Sequence, residues 1–270
     1  MSEPVVLLDR PVAHVARLRI NRPDKRNAID FEVREQLTQH LRTLLPDATT
    51  RALVLGGVGG VFSAGGDVPS MAGLSEEQAR ERMRHIHVLC RLVAGARIPV
   101  VSAAEGYAAG AVVGLALLGD EILAGPGTKF LFPFLKLGLA PDWGQLLTLP
   151  RRVGIGQARR ILTGGVAVAG DEAKRIGLID TLVATDDEIM DAAIRRAGEL
   201  AALPGEAFAR MKARLNDVSG SLDEEFAREE TDQAACLLGA DFREGYAAFR
   251  EKRASDFIST SERKPDFEDR

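Results

Sequence analysis

The sequence predicts an α/β fold that ends in a helical appendage, and three observations point to it. Short apolar runs of strand length alternate with longer amphipathic segments up to about residue 200. A strand–strand–helix rhythm recurs at roughly forty- to fifty-residue intervals. From Asp186 onward the pattern is helical only, broken at Leu203-Pro-Gly and Ser219-Gly. With 270 residues, 46% of them hydrophobic, the chain can build one large core plus an appendage. We divide it into a core over residues 1–200 and a C-terminal helical region over 201–270.

Val5 to Leu8 and Val12 to Ile20 read as two strands joined at Asp9-Arg10-Pro11, the second with a two-residue alternation. Asn21 to Ala28 is a polar, basic loop. Asp30 suits the N-cap of a helix over Phe31 to Leu45, whose Val33, Leu37, Leu41 and Leu44 share one face. Arg51 to Gly57 reads as a central strand. Ser75 and Gln78 form a capping box for a helix reaching about Ala94. Ile98 to Ala103 is a further strand, followed by strand-like pieces at Glu121 to Ala124 and Lys129 to Phe132. Trp143 to Leu149, Ile155 to Leu162 and Asp171 to Ile176 read as helices, and Leu178 to Val183 as a last strand. Leu222 to Leu238 and Asp241 to Ser255 are amphipathic helices that need the core or another subunit to cover them.

Composition narrows the function. A net charge of -4 leaves no basic surplus to neutralise phosphates, so nucleic acid is not the expected partner. The longest uncharged run, Gly106 to Gly119, is shorter than the ~20 residues of a membrane span. No secretory leader is apparent before Asp9 and Arg10. Cys90 and Cys236 have no metal-ligand spacing, and a soluble cytoplasmic protein is expected. His14, His40, His85 and His87 read as structural or surface residues, so no metal site is expected. There is no phosphate-binding G-x-x-x-x-G-K-[ST] loop, no complete dinucleotide fingerprint and no G-x-S-x-G serine.

Two glycine-rich stretches remain. In Glu105-Gly-Tyr-Ala-Ala-Gly110 and the apolar run to Asp120, the glycines at 106, 110 and 114 are four residues apart. A helix starting near Gly110 aims its first free N–H groups and positive dipole end outward. Its small residues suit either a tight helix crossing or a close approach by a ligand. Phe62-Ser-Ala-Gly-Gly-Asp67 follows a strand, and its glycines let the Gly66 N–H turn inward while Asp67 braces the loop or caps the helix behind. Two backbone donors from separate loops are the minimal equipment for holding an enolate oxygen.

Asn21-Arg-Pro-Asp-Lys-Arg-Asn-Ala-Ile, Phe62-Ser-Ala-Gly-Gly-Asp, Glu105-Gly-Tyr-Ala-Ala-Gly, Leu139-Ala-Pro-Asp-Trp-Gly and Phe249-Arg-Glu-Lys-Arg occur in order over nearly the whole chain. Together they resemble the enoyl-CoA hydratase/isomerase (crotonase) superfamily. The resemblance implies a spiral of ββα units, C-terminal helices that form a homotrimer or a dimer of trimers, and an acyl-CoA thioester substrate. No separate cofactor is implied, since CoA arrives as part of the substrate. The thioester carbonyl would be held by the N–H groups of Gly66 and Ala111. Lys25, Arg26 and Ala28 would receive the CoA nucleotide, Ala64 and Asp67 would lie near adenine and pantetheine, and Phe249 with Lys252 would reach a CoA, that of a neighbouring subunit included. Without the resemblance, Lys25 and Arg26 read as an ordinary solvated loop.

The two glutamates that activate water in the family's hydratases fall on Gly114 and Phe134 here. Neither residue transfers a proton, whereas hydration needs a base for water and an acid for carbon. Asp142, in Ala140-Pro-Asp-Trp-Gly144, matches the aspartate position of some isomerases of the family; read from the residues alone, it is equally a helix N-cap. Apolar lining from Phe132, Phe134 and Leu139 would raise its pKa. The expected activity is acyl-CoA double-bond isomerisation, or a related enolate rearrangement, with Asp142 as base. The alternatives are a hydratase or lyase using another acid, such as Glu105 or Asp120, and a CoA-binding subunit without chemistry.

Overall fold

Most of the predicted strands assemble into one six-stranded sheet, and the piece at Lys129 joins a smaller one, in a computed structural model that describes residues 3–218 and 220–262. In chain order the elements are β1 (Val6–Val12), β2 (Val15–Ile20), α1 (Phe31–Leu44), β3 (Ala52–Gly57), α2 (Glu76–Ala94), β4 (Val100–Ala104), β5 (Tyr107–Ala109), α3 (Ala111–Leu117), β6 (Glu121–Ala124) and β7 (Lys129–Leu131). There follow α4 (Gln145–Val153), α5 (Ile155–Gly164), β8 (Val168–Ala169), α6 (Gly170–Arg175), β9 (Thr181–Leu182), α7 (Ile189–Ala201), α8 (Gly205–Asn216), α9 (Leu222–Leu238), α10 (Ala240–Glu251) and α11 (Phe257–Glu262).

The main sheet has the order β1-β2-β3-β4-β6-β9. Only β1 and β2 are antiparallel; the other neighbours run parallel, as crossover connections through helices require. Every residue of β3 and β4 is buried, which fits strands covered on both faces. Leu53 and Leu55 point to the main core with α1 and α2, while Ala52 and Val54 pack against α7. A second sheet, β5-β7-β8, lies beyond the first. It is an α/β fold, with helices alone from α7 to the end of the described chain.

Several local expectations need correction. The first hairpin turns at Ala13-His14, not at Asp9-Arg10-Pro11, with Val12 paired to Val15. His14 takes the turn with φ 64, and Pro11 is tolerated because β1 is an edge strand. Tyr107 to Ala109 form a short strand that leads into the helix expected near Gly110. Trp143 lies outside its helix with φ 53, and Gly144, not Asp142, is the N-cap of α4. The Ser75–Gln78 capping box and the Asp30 N-cap, which accepts from the Val33 N–H, are as expected. Among the described residues, no helix is long and apolar enough to cross a membrane.

Candidate active site

The 62–67 loop is held on both sides by backbone hydrogen bonds. Toward β5, the Ser63 N–H donates to the Tyr107 carbonyl and the Ala109 N–H donates back to Ser63. Toward the basic loop, Ala64 donates to Arg26, Ile29 to Gly65 and Asp67 to Ile29. In this parallel bridge Gly66 is the residue whose own N–H faces away from Ile29. Buried Asn27, at φ 58, adds side-chain hydrogen bonds to the Val58 and Val61 carbonyls. The loops carrying Lys25, Arg26, Ala28, Ala64, Gly66 and Asp67 thus form one connected unit.

Gly65 brings this unit against the start of α3. At φ 93, a Cβ there would meet the Ala109 carbonyl oxygen at 2.6 Å and the Ala111 nitrogen at 3.7 Å. Only glycine combines that backbone with that approach. Gly110, at φ 48, turns the chain from β5 into α3. The Ala111 N–H, like that of Gly66, donates to no protein acceptor among the described residues. The Nε2 of fully buried Gln145 donates to the Gly110 carbonyl at 3.0 Å and to the Asp142 carbonyl at 3.2 Å. One side chain therefore ties the peptide that carries the Ala111 N–H to the Asp142 segment.

Asp142 lines a cleft of about 700 Å³ together with Arg82, Met83, Leu139, Trp143 and Leu146. Its Oδ1 is buried without a hydrogen-bond partner. Burial pushes its carboxyl up to about 6, while the nearby Arg82 guanidinium pulls the other way. Leu139 is beside it as expected, but buried Phe132 and Phe134 are not part of this wall. The Phe134 ring instead abuts Gly110, 3.7 Å from where a Cβ would stand. Gly114 faces the Trp143 backbone and Cβ, which take the space a side chain would need. Buried Cys90 also feels the Asp142 charge: burial first, then that charge, push its thiol up to about 12.

Other predicted residues fall elsewhere or act differently. Phe249, 81% exposed, and Lys252, in a left-handed conformation at the end of α10, do not line the Asp142 cleft. The Asp67 side chain makes no cap hydrogen bond; its carbonyl accepts from Ser70 instead. Asp120 is engaged structurally, accepting from the Val100 N–H at 2.8 Å and pairing with buried Lys212 at 2.7 Å. Glu105 is raised by burial and sits near Arg19 and Arg17, away from the cleft wall. His85 stacks on Phe31 and contacts Arg34 and Glu35, while exposed His87 lines the cleft. Sequence reasoning missed Arg82 and Gln145: both look like ordinary polar positions on helices, and no motif spacing marks them. Among the described residues, no group of three or more His, Cys, Asp or Glu side chains is arranged to hold a metal ion.

A family model described as enoyl-CoA hydratase/isomerase matches residues 11–260. The chain is 34% identical over 248 residues to the 1,2-epoxyphenylacetyl-CoA isomerase of Escherichia coli (strain K12), covering 90% of this chain and 94% of that one. It is 32% identical over 247 residues to the crotonyl-CoA hydratase of Syntrophomonas wolfei, covering 91% and 95%. Among solved structures, the enoyl-CoA hydratase from Bacillus anthracis superposes with a TM-score of 0.88 at 27% identity, over 94% of this chain and 99% of that one.

Proposed function

Because the chain belongs to the enoyl-CoA hydratase/isomerase family, the crotonase superfamily of enzymes acting on acyl-CoA thioesters, we propose that it shifts a double bond, or performs a related enolate rearrangement, rather than adding water. The single observation that carries this reading is Asp142: one half-buried carboxylate with an unpartnered oxygen and a pKa raised to about 6, facing a mostly apolar cleft. Such a group is a competent base at neutral pH.

In this reading the N–H groups of Gly66 and Ala111 receive the thioester oxygen. Each contributes about 3 kcal/mol to the enolate-like transition state. Asp142 removes a proton from one carbon, and electrons flow into the thioester as its oxygen gains charge. The same carboxyl returns the proton to a different carbon, and the double bond has moved. Gln145 keeps the Ala111 peptide and the Asp142 segment in register. Trp143 and Leu139 exclude water from the carboxyl. Lys25, Arg26 and Ala28, with Ala64 and Asp67 in the same connected loops, receive the CoA. Phe249 and Lys252 act on the CoA of a neighbouring subunit. No cofactor beyond the substrate's own CoA takes part in this scheme.

The lack of space at Gly114 and the apolar ring at Phe134 disfavour a pair of water-activating glutamates. A hydratase or lyase is the second reading, favoured by the crotonyl-CoA hydratase relative. It would need a different acid, such as Glu105 or Asp120, and the engagement of Asp120 with Val100 and Lys212 counts against Asp120. A CoA-binding subunit without chemistry is the third. We further propose a cytoplasmic homotrimer or dimer of trimers, supported by free cysteines at 90 and 236 and by exposed apolar residues on the C-terminal helices. Parallel assays of 3-enoyl-CoA isomerisation and crotonyl-CoA hydration separate the readings. Isomerisation that outpaces hydration supports ours; dominant hydration overturns it; no turnover of any thioester, with CoA bound, favours the subunit.

A further inference from the structure

We propose that Arg82 receives a carboxylate carried by the acyl group, so that the preferred substrate is the CoA thioester of a dicarboxylic acid. This inference rests on the acyl-CoA reading above and specifies its substrate class.

Arg82 projects from α2 into the wall of the Asp142 cleft, half-buried. Its Nη2 lies 3.6 Å from where a Cβ on Gly66 would stand, so the guanidinium borders Gly66. Elsewhere in the chain, half-buried arginines are matched: Arg22 with Asp30, Arg152 with Asp180, Arg196 with Glu121. Arg82 has no hydrogen bond or ion pair among the described residues. Asp142 and Asp67 are close enough to be felt, yet neither forms an ion pair with it.

A second cation stands behind it. Arg34 is 2% exposed, and its Nη1 is buried with no hydrogen-bond partner. Its Nε donates to His85 Nδ1 at 3.2 Å, which leaves that end unmatched. Burial, and then repulsion from Arg82, hold the Arg34 guanidinium down to about 10, with Asp30 only partly offsetting them. Arg82 and Leu74 belong both to the main cleft and to a side pocket of about 280 Å³ that contains Arg34, so Arg82 stands at their shared wall. The acidic residue in that pocket, Glu81, is turned to Arg84 at 2.8 Å.

Two neighbouring guanidinium groups in a partly dry pocket are costly unless an anion joins them. The unpaired Arg82 guanidinium is a donor-only planar fork, which matches a carboxylate in two-point fashion and a hydroxyl or epoxide oxygen only singly. A carboxylate at this wall would lie on the acyl side of the thioester, because Arg82 shares the cleft with Asp142, whose proton transfer takes place on the acyl carbons.

Glutaryl-CoA and valeryl-CoA have equal carbon count and differ in the terminal carboxylate. Calorimetric titration of the full chain with each, in the wild type and in Arg82→Met and Arg82→Lys, tests the proposal. The expected wild-type result is tighter binding of glutaryl-CoA by about 10- to 100-fold, the effect of a charge-assisted contact. That ratio should fall to about one in Arg82→Met and stay intermediate in Arg82→Lys. Equal or weaker wild-type binding of glutaryl-CoA overturns the proposal, as does a ratio that survives Arg82→Met. Failure of the wild type to bind either thioester overturns the acyl-CoA reading itself, and this inference with it.

Discussion

Gln145 Nε2 donates a 3.0 Å hydrogen bond to the carbonyl oxygen of Gly110, and this bond fixes the peptide unit that presents the Ala111 N–H. The same nitrogen reaches the Asp142 carbonyl at 3.2 Å. A donor on the carbonyl side of a peptide also polarises its N–H, strengthening it as a donor. Gln145→Met should therefore lower kcat by about 10-fold, the cost of one neutral hydrogen bond, with KM little changed. Steady-state kinetics on a 3-enoyl-CoA check this. An unchanged kcat would show that the Gly110 peptide needs no such support.

Trp143 occupies the space beside Gly114, with its carbonyl oxygen 3.0 Å and Gln145 Nε2 3.1 Å from where a Cβ would stand. Gly114→Glu should not create a hydratase; it should destabilise the fold by about 1–3 kcal/mol through overpacking. Denaturant unfolding and a crotonyl-CoA assay read both outcomes together. Gain of hydration at wild-type stability would mean that Trp143 moves aside freely.

The pH dependence follows from Asp142. Burial raises its folded pKa from 3.8 to about 6, so the native state holds the proton more tightly than the unfolded chain. The associated stability is fully present below the unfolded value and is lost as pH rises through about 6. The wild type should thus lose up to about 3 kcal/mol relative to Asp142→Asn between roughly pH 4 and pH 7. Because only the ionised carboxylate is a base, kcat/KM should rise with pH and reach half its maximum near pH 6. A flat stability difference, or an acid limb near pH 4, would show a solvated carboxylate.

Helix α9 buries no residue, and Leu222, Phe226, Leu237 and Leu238 on it are 53–80% exposed. Apolar surface of that extent calls for a covering partner. Sedimentation should show a trimer or hexamer for the wild type, and the Phe226→Glu, Leu238→Glu double variant should dissociate. A monomeric wild type would remove the subunit-contact role of these helices.

How much of this was legible in the sequence depends on how local the cause was. Asp30 and Ser75 announced their helices because capping is a matter of a few residues. The buried runs of β3 and β4 were equally plain. The first hairpin was misplaced because Pro11 reads as a turn residue but sits in an edge strand, while His14 takes the positive φ. Trp143 was placed in a helix because its apolar ring fits the helical pattern; packing against Gly114 holds it in a left-handed conformation instead. Arg82 and Gln145 stayed hidden because their importance arises from approach to Gly66 and Gly110, residues distant in sequence. The glycine motifs themselves were visible; what lies across from them was not.

The most direct measurement is single-turnover isomerisation of a 3-enoyl-CoA by Asp142→Asn, alongside the dissociation constant of the same variant for the product thioester. The account predicts a loss of about 10²- to 10⁴-fold in the chemical step with binding retained, because the amides of Gly66 and Ala111 are untouched. Turnover at the wild-type rate with binding intact would contradict it, and some other group would have to carry the proton.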